Sequence, residues 1–539
     1  MVDDTGARRI HRALLSVSDK DGLEQMASAL IQLDVELIST GGTRGFLMDR
    51  GYPVTDISTV TGNPEAFDGR MKTISFTLES SILFNRDLHA EEAALLGIAP
   101  IDLVICNFYP FHEISDEKSM KDLTERIDIG GPTMVRAAAK NAEYVAVIVD
   151  PADYPEIVEE LEANGGALHR DTRFQLMRKA FRLTADYDGL IATTLDRRAG
   201  DPSLRFSFDH GRRLRYGENN HQKASFYRVS GEASSLHDLV CLHGKELSFN
   251  NILDIHSAID AVRRLKRHGC SVIKHSNPCG LAESPDQRRS LELAWAGDPV
   301  SAFGSIIALN DTVGMDTVSF LSLDAEDKRS RKFIEVLIAP AFDTDAIEYL
   351  NQHKSLRIIT FDPADFMPRY DARFVFNGLL FQDTDECMYR DFTEATDFKN
   401  DIDEDLIRFG LLAVRNLKSN AIAIVRRMDR DSFQLLGMGC GQPNRLVAIR
   451  LALDKAVENL QKETASSNSI RRPAGDALDS AILISDAFLP FPDNVDICAE
   501  YGIRTIIQPG GSIRDKAVIK RCVEHGITMI FTGIRHFRH

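Results

Sequence analysis

Short apolar runs, each followed by a polar turn and then by one amphipathic helix, are the strongest constraint on how this chain folds. The first run is Arg12–Val17, RALLSV. Ser18 and Asp19 then offer N-cap chemistry, and Leu23, Met26, Ala27, Leu30 and Ile31 share one helical face. A second run, residues 35–39, leads into Thr40-Gly41-Gly42-Thr43 and a helix that Gly51 is placed to end. Residues 52–57 and 101–106 read as further extended pieces. Strands separated by single helices make βαβ units, and hence a parallel sheet in an α/β domain. Ligands of such sheets sit at the carboxyl edge of the strands, so the turns there deserve the closest reading.

At 539 residues the chain is too long for one hydrophobic core, which implies several domains. The polar stretch DRRAGDPSLRF, residues 196–206, breaks a helical pattern and sets the expected boundary: domains 1–200 and 201–539. Sixty-four Lys and Arg against 80 Asp and Glu give a net charge of −16, the wrong sign for a protein that grips nucleic acid along its surface. No apolar run reaches the roughly 18 residues of a membrane span, and MVDDTGARR has no apolar signal core. The eight cysteines are scattered without a C-x-x-C pair, as expected of reduced thiols in the cytoplasm.

Five polar clusters follow successive strands of the first domain. Ser18/Lys20 and Thr40-Gly41-Gly42-Thr43 face one crevice, where a helix N-terminus would favour a phosphate; an ordinary strand-to-helix turn has the same composition. Asp68-Gly69-Arg70-Met71-Lys72-Thr73 adds two cations beside a glycine. Asn107-Phe108-Tyr109-Pro110-Phe111 follows the fourth extended piece. The fifth, Ile127-Asp128-Ile129-Gly130-Gly131-Pro132-Thr133, opens a helix on which Arg136 and Lys140 lie one turn apart. Lys, Tyr and Asp side chains carry protons once burial shifts their pKa. The residues alone indicate a phosphorylated small molecule and leave the reaction open.

The second domain concentrates polar knots between apolar runs. They include 214–222 with Arg215 and Tyr216, GKELSFNNILD at 244–254, and the short strand 270–273 ending in Lys274-His275-Ser276 and a Pro-Cys-Gly turn. Others are DPVSAFG at 298–304, KSNA at 418–421 and SDAFLPFPDNVD at 485–496. A Lys-His pair at a strand end suits an oxyanion stabiliser beside a general base, although a lone His is more often a capped core residue. Two Phe and two Pro near Asp493 and Asn494 suit a slot for a flat heterocycle, or simply a loop packed on the core. No Walker loop, H-E-x-x-H, GxSxG or P-C-x-x-C is present, and no metal site is expected.

Taken together, SVSDK, STGGT, DGRMKT, NFYPF, IDIGGPT, VRAAAKN, GKELSFNNILD, KHSNPCG, DPVSAFG, KSNAI, SDAFLPFPDN, QPGGSIRD and the terminal TGIRHFRH resemble, over essentially the full length, the bifunctional AICAR formyltransferase / IMP cyclohydrolase family. AICAR is 5-aminoimidazole-4-carboxamide ribonucleotide and IMP is inosine monophosphate. The resemblance implies a methylglyoxal-synthase-like parallel-sheet N-domain for ring closure. It also implies a larger α/β C-domain of two cytidine-deaminase-like layers for formyl transfer, without catalytic metal. It further implies 10-formyltetrahydrofolate as co-substrate and a homodimer with the transfer site across the subunit interface.

By the same resemblance His275 accepts the proton and Lys274 steadies the oxyanion in formyl transfer. Arg215, Tyr216, Gly304, Glu335, Asn420, Phe488 and Arg535 hold the nucleotide, and Asp493 and Asn494 lie near the folate. In ring closure Lys72, Tyr109, Asp128 and Lys140 carry protons, while Ser18, Lys20, Ser39, Gly41, Gly42, Thr43, Arg70 and Thr73 bind the nucleotide. One departure is pointed. After Lys72-Thr73 the family continues L-H-P and then a second His; this chain has Ile74-Ser75-Phe76-Thr77-Leu78-Glu79-Ser80-Ser81. The alternative expectation is therefore an active formyltransferase whose N-domain binds nucleotide but closes the ring weakly or not at all.

Overall fold

A computed structural model describes residues 6–64, 66–67, 71–111, 119–230, 235–362, 365–366, 370–398, 403–467 and 478–539. Arg70, an expected nucleotide ligand, lies outside the described residues. The chain divides into two compact units, Met1–Ser207 and Phe208–His539.

Among the described residues the first unit is built on a five-stranded sheet. Its strands are β1 (Arg12–Val17), β2 (Glu36–Ser39), β3 (Thr55–Asp56), β4 (Leu103–Asn107) and β5 (Ala146–Ile148), in the order β3-β2-β1-β4-β5. All four pairings are parallel. Ala13, Leu14 and Leu15 of β1 are wholly buried, because a central parallel strand has helices on both faces and so reads as a continuous apolar run. Helices α1 (Leu23–Gln32) and α2 (Gly41–Met48) follow β1 and β2, and α3 (Gly130–Lys140) lies between β4 and β5 in sequence. The long α4 (Arg170–Ala199) ends at Gly200, whose φ of 73° makes it a left-handed cap. Asp196, Arg197 and Arg198, expected to start a linker, are thus still helical.

Among the described residues the second unit holds a twelve-stranded mixed sheet that is the same layer built twice. The first layer contains β6 (Val240–His243), β7 (His268–Lys274), β8 (Asn277–Ser284), β9 (Ser305–Leu309), β10 (Ile334–Ala339) and β11 (Arg357–Thr360). Strand β7 pairs antiparallel with β8 and β9; β9, β10 and β11 run parallel; β6 closes the edge antiparallel to β11. The second contains β12 (Thr393–Glu394), β13 (Ile422–Arg427), β14 (Phe433–Gly439), β15 (Ala481–Ser485), β16 (Thr505–Gln508) and β17 (Thr528–Phe531). It repeats every one of those relations, with β12 on the edge of β17. The layers join antiparallel through β8 and β14, where Ala282 faces Gln434.

The helices are duplicated as well. Helix α5 (Phe249–Val262) precedes β7 as α7 (Glu404–Arg415) precedes β13, and α6 (Gln287–Gly297) follows β8 as α8 (Arg445–Ser467) follows β14. A glycine admits each following helix to its strand. A Cβ on Gly280 would stand 1.8 Å from the Ala294 carbonyl of α6, and one on Gly439 would stand 2.0 Å from the Ala448 carbonyl of α8. Pro278, Cys279 and Gly280, expected as a turn, are accordingly strand residues packed under α6.

Because the layers run in opposite senses, the end of β7 and the start of β13 share one end of the sheet. At the other end the start of β7 meets the β13–β14 connection. There Arg267 pairs with Asp431 at 2.5 Å, and Arg408 with the fully buried Glu283 at 2.7 Å.

Candidate functional sites

In the first unit the strand ends do converge. The Thr43 hydroxyl donates to the Val17 carbonyl and accepts from the Val17 N–H, both at 3.0 Å, stitching α2 to the end of β1. Asn107, at the end of β4, accepts from the N–H groups of Ser18 and Asp19 at 2.7 and 2.9 Å and donates to the Asp19 carbonyl. The Lys20 ammonium turns back onto the Ser18 carbonyl at 3.2 Å. Ser39 is completely buried and spends its hydroxyl on the Leu15 carbonyl at 2.7 Å, which leaves its backbone to face the turn.

Lys72 and Thr73 connect this turn to α3. A Cβ on Gly41 would lie 3.4 Å from the Lys72 ammonium, and one on Gly130 would lie 2.5 Å from the Thr73 hydroxyl. A cavity of about 130 Å³ opens between Thr40, Gly41, Arg44, Asp56, Asn63 and Lys72. Asp128 receives the Gly131 N–H at 2.9 Å, and Gly131 has no room for a Cβ because Asp128 Oδ2 would be 2.5 Å from it. Burial pushes the Asp128 carboxyl above the ordinary range, against the opposing pull of that hydrogen bond. Tyr109 is 66% exposed. Lys140 is the last residue of α3, about 15 Å along the helix from Gly130, and is exposed.

The segment that departs from the family, Phe76–Leu83, is a helix capped by Ser75, which accepts from Leu78 N–H at 3.1 Å. Glu79 stands in its first turn with one carboxylate oxygen buried and, among the described residues, without a hydrogen-bond partner. Burial raises its pKa. A carboxyl whose folded pKa is raised weakens the native state as pH climbs through its titration and does no harm when protonated. Glu79→Gln is therefore expected to stabilise the protein by on the order of 1 kcal/mol at pH 7. The gain should vanish toward pH 4, which thermal unfolding across that range measures.

In the second unit the expected residues gather at the end where β7 finishes. Residues 275 and 276 form a two-residue hairpin turn between Lys274 and its partner Asn277. Both have positive φ, 52° for His275 and 61° for Ser276. For residues bearing a Cβ this conformation costs on the order of 1–2 kcal/mol each, so the surroundings must hold it. Asp254 of α5 accepts from the Ser276 N–H at 2.7 Å and from its hydroxyl at 3.3 Å. Asn277 donates to the His275 carbonyl at 2.9 Å and accepts from the Lys418 N–H at 3.1 Å, tying the first layer to the second. The Lys274 ammonium donates to the carbonyls of Phe303 and Gly304 at 3.1 and 3.0 Å. Gly304 itself has a φ of 70°. The His275 ring is exposed.

Asn420 opens β13 beside this turn with its amide fully engaged. It donates to the carbonyls of Gln442 and Pro443 at 2.7 and 3.1 Å and accepts from Arg445 at 2.6 Å. Arg445, nearly buried, also pairs with the wholly buried Asp486, which accepts from the Ser419 hydroxyl at 2.5 Å. Glu335 accepts from Asn251 at 3.1 Å. Phe488 is 41% exposed at the same sheet end. Asp493 is exposed, but Asn494 is buried and donates to the Phe491 carbonyl at 2.8 Å. The terminal segment is pinned here: His536 N–H donates to the Asp486 carbonyl at 2.8 Å, leaving Arg535 exposed over the Phe537 ring at 4.8 Å. Arg215 and Tyr216 lie in a separate knot, the guanidinium donating to the phenol at 3.0 Å. Among the described residues neither bonds to Lys274 or His275.

Sequence reasoning assigned no role to Asn107, Asp254, Asn277, Arg445 or Asp486. The motifs that hold Asn107, Asp254, Asn277 and Asp486 were visible and Arg445 lies in none, but each acts through a partner elsewhere in the chain that spacing does not reveal.

A family model described as "AICARFT/IMPCHase bienzyme" matches residues 138–455, and one described as "MGS-like domain" matches residues 22–133. Curated relatives named "Bifunctional purine biosynthesis protein PurH" extend along nearly the whole chain. That of Xylella fastidiosa (strain 9a5c) is 40% identical over 98% of this chain and 99% of its own. That of Acidithiobacillus ferrooxidans is 41% identical with the same coverage. A solved structure described as "Crystal structure of ForH" is 36% identical, covering 34% of this chain and 99% of its own, with a TM-score of 0.33. With its parallel N-terminal sheet, its duplicated C-terminal layer and relatives of this identity from end to end, the chain belongs to the AICARFT/IMPCHase bienzyme family.

Proposed function

We propose that the chain carries out two consecutive steps of purine synthesis: formyl transfer from 10-formyltetrahydrofolate to AICAR in the second unit, and dehydrative closure of formyl-AICAR to IMP in the first. The observation that carries the reading is the Lys274–His275 pair, set at a strained turn where both layers end. The amine of AICAR is a weak nucleophile because its lone pair is drawn into the carboxamide-bearing ring. His275 removes its proton as the amine attacks the formyl carbon, and the tetrahedral intermediate then collapses with cleavage of the bond to the folate nitrogen, which leaves as tetrahydrofolate with that proton. The Lys274 ammonium has three protons and spends two on the Phe303 and Gly304 carbonyls, so the third is directed at the oxyanion of the tetrahedral intermediate.

For ring closure, the carboxamide nitrogen attacks the formyl carbonyl and water leaves. Asp128, its carboxyl raised by burial, suits a proton carrier at both atoms, with Lys72 over the Gly41 turn and the α2 N-terminus oriented for phosphate. Orientation supplies much of the rate, since the reaction is already within one molecule. Tyr109 and Lys140 would have to act from the margins of this cluster. The protein is proposed to work in the cytoplasm as a homodimer that completes the transfer site with Arg215 and Tyr216. The exposed apolar hairpin of Tyr370–Val375 and Gly378–Asp383, with Phe374 87% exposed, supports a paired surface. No described helix is long and apolar enough to cross a membrane.

One assay tests the whole reading. Purified protein given AICAR and 10-formyltetrahydrofolate is expected to yield IMP without lasting build-up of the formylated intermediate. Accumulation of that intermediate at the uncatalysed rate of closure would reduce the first unit to a nucleotide-binding module, and no formylation at all would refute the transfer site.

A further inference from the structure

We propose that Asp254 is the positioning residue of the formyl-transfer site, the side chain that holds His275 in its left-handed turn. The inference rests on the reading of His275 as proton acceptor and assigns the means by which the imidazole is aimed. Residues 275 and 276 both adopt a conformation natural to glycine, and neither is glycine. Left to itself, a two-residue connection of this composition relaxes, and a relaxed turn carries the imidazole away from Lys274. The restraint comes from α5, the helix preceding the strand. Asp254 Oδ1 takes both the N–H and the hydroxyl of Ser276, at 2.7 and 3.3 Å.

Asp254 is suited to that task. It sits partly buried, which raises its pKa, while the hydrogen bonds from Ser276 and attraction to the neighbouring His275 favour its ionised form. The other ties reach different atoms. Asn277 holds the His275 carbonyl, and Phe303 and Gly304 hold the Lys274 ammonium. The Ser276 N–H is the donor that fixes the second turn residue, and Asp254 is its acceptor. Asp254 touches neither reacting atom in this scheme; it acts through the turn.

The test is steady-state formyl transfer by the full chain carrying Asp254→Ala, Asp254→Asn or Asp254→Ala with Ser276→Gly. Asp254→Ala is expected to lower kcat about 10²-fold, the penalty of a reacting group misplaced by about an ångström, with KM for AICAR changed less than about threefold. Asp254→Asn keeps an acceptor oxygen and should stay within about fivefold of wild type. Adding Ser276→Gly, which removes the conformational cost at that position, should restore about tenfold of the loss in Asp254→Ala. Thermal unfolding of the same preparations, followed through the transition of the second unit, serves as the control for folding. A kcat for Asp254→Ala within threefold of wild type would overturn the proposal, as would a loss that neither Asn nor Gly relieves in protein whose second unit unfolds as in wild type. If wild-type protein transfers no formyl group, the transfer reading fails first, and the two failures are thereby told apart.

Discussion

His275→Ala is expected to slow formyl transfer by roughly 10²–10⁴, the usual contribution of a general base, while ring closure keeps its wild-type rate. The imidazole stands exposed on the turn, and among the described residues its ring nitrogens serve no structural hydrogen bond. Its removal should therefore change stability by less than about 0.5 kcal/mol. The loss should fall on kcat, because the ring meets the amine proton only as the new carbon–nitrogen bond forms. Single-turnover transfer, with ring closure assayed separately on formyl-AICAR, measures both. A transfer rate within threefold of wild type would remove His275 from the reaction and leave Lys274 as an electrostatic contact alone.

Gly131→Ala should do to ring closure what His275→Ala does to transfer, by a different route. The added Cβ would meet Asp128 Oδ2 at 2.5 Å and Phe108 Cδ1 at 3.1 Å. The phenylalanine is packed against Tyr187, ring centres 5.0 Å apart, so the carboxylate is the group that yields. Displacing it also breaks the 2.9 Å bond it receives from Gly131. We expect closure of formyl-AICAR to slow about 10²-fold, with formyl transfer intact. Asp128→Asn, which leaves the geometry and removes the proton carrier, should be at least as damaging. If both variants close the ring within threefold of wild type, Asp128 is not the carrier.

Much of the frame was legible before the structure. RALLSV is a strand of the first sheet, as its short apolar run indicated, and the glycine turns after the strands do converge. What the sequence could not reveal was the direction of individual side chains. Ser39 and Asn420 belong to the right turns, yet their polar atoms are consumed by the protein itself. Lys140 shares a helix with the Gly130-Gly131 turn but stands at its far end. The KHSNPCG stretch shows the reason clearly. Proline and glycine read locally as a turn, whereas Gly280 is there so that a helix can press on the strand, a demand made by Ala294. Likewise the turn at His275 and Ser276 is tied through Ser276 to Asp254, on a different element, and no periodicity connects the two.

The doubled layer also bears on ancestry. A sheet repeated about a dyad has two equivalent mouths, one at each end, and two separate copies of a single layer would have offered both. Here one mouth carries Lys274, His275 and Asn420, while its symmetry mate is stapled shut by Arg267, Asp431, Arg408 and Glu283. The two hairpins have accordingly diverged within one polypeptide: one carries the left-handed turn of His275 and Ser276, and the other is held by ion pairs.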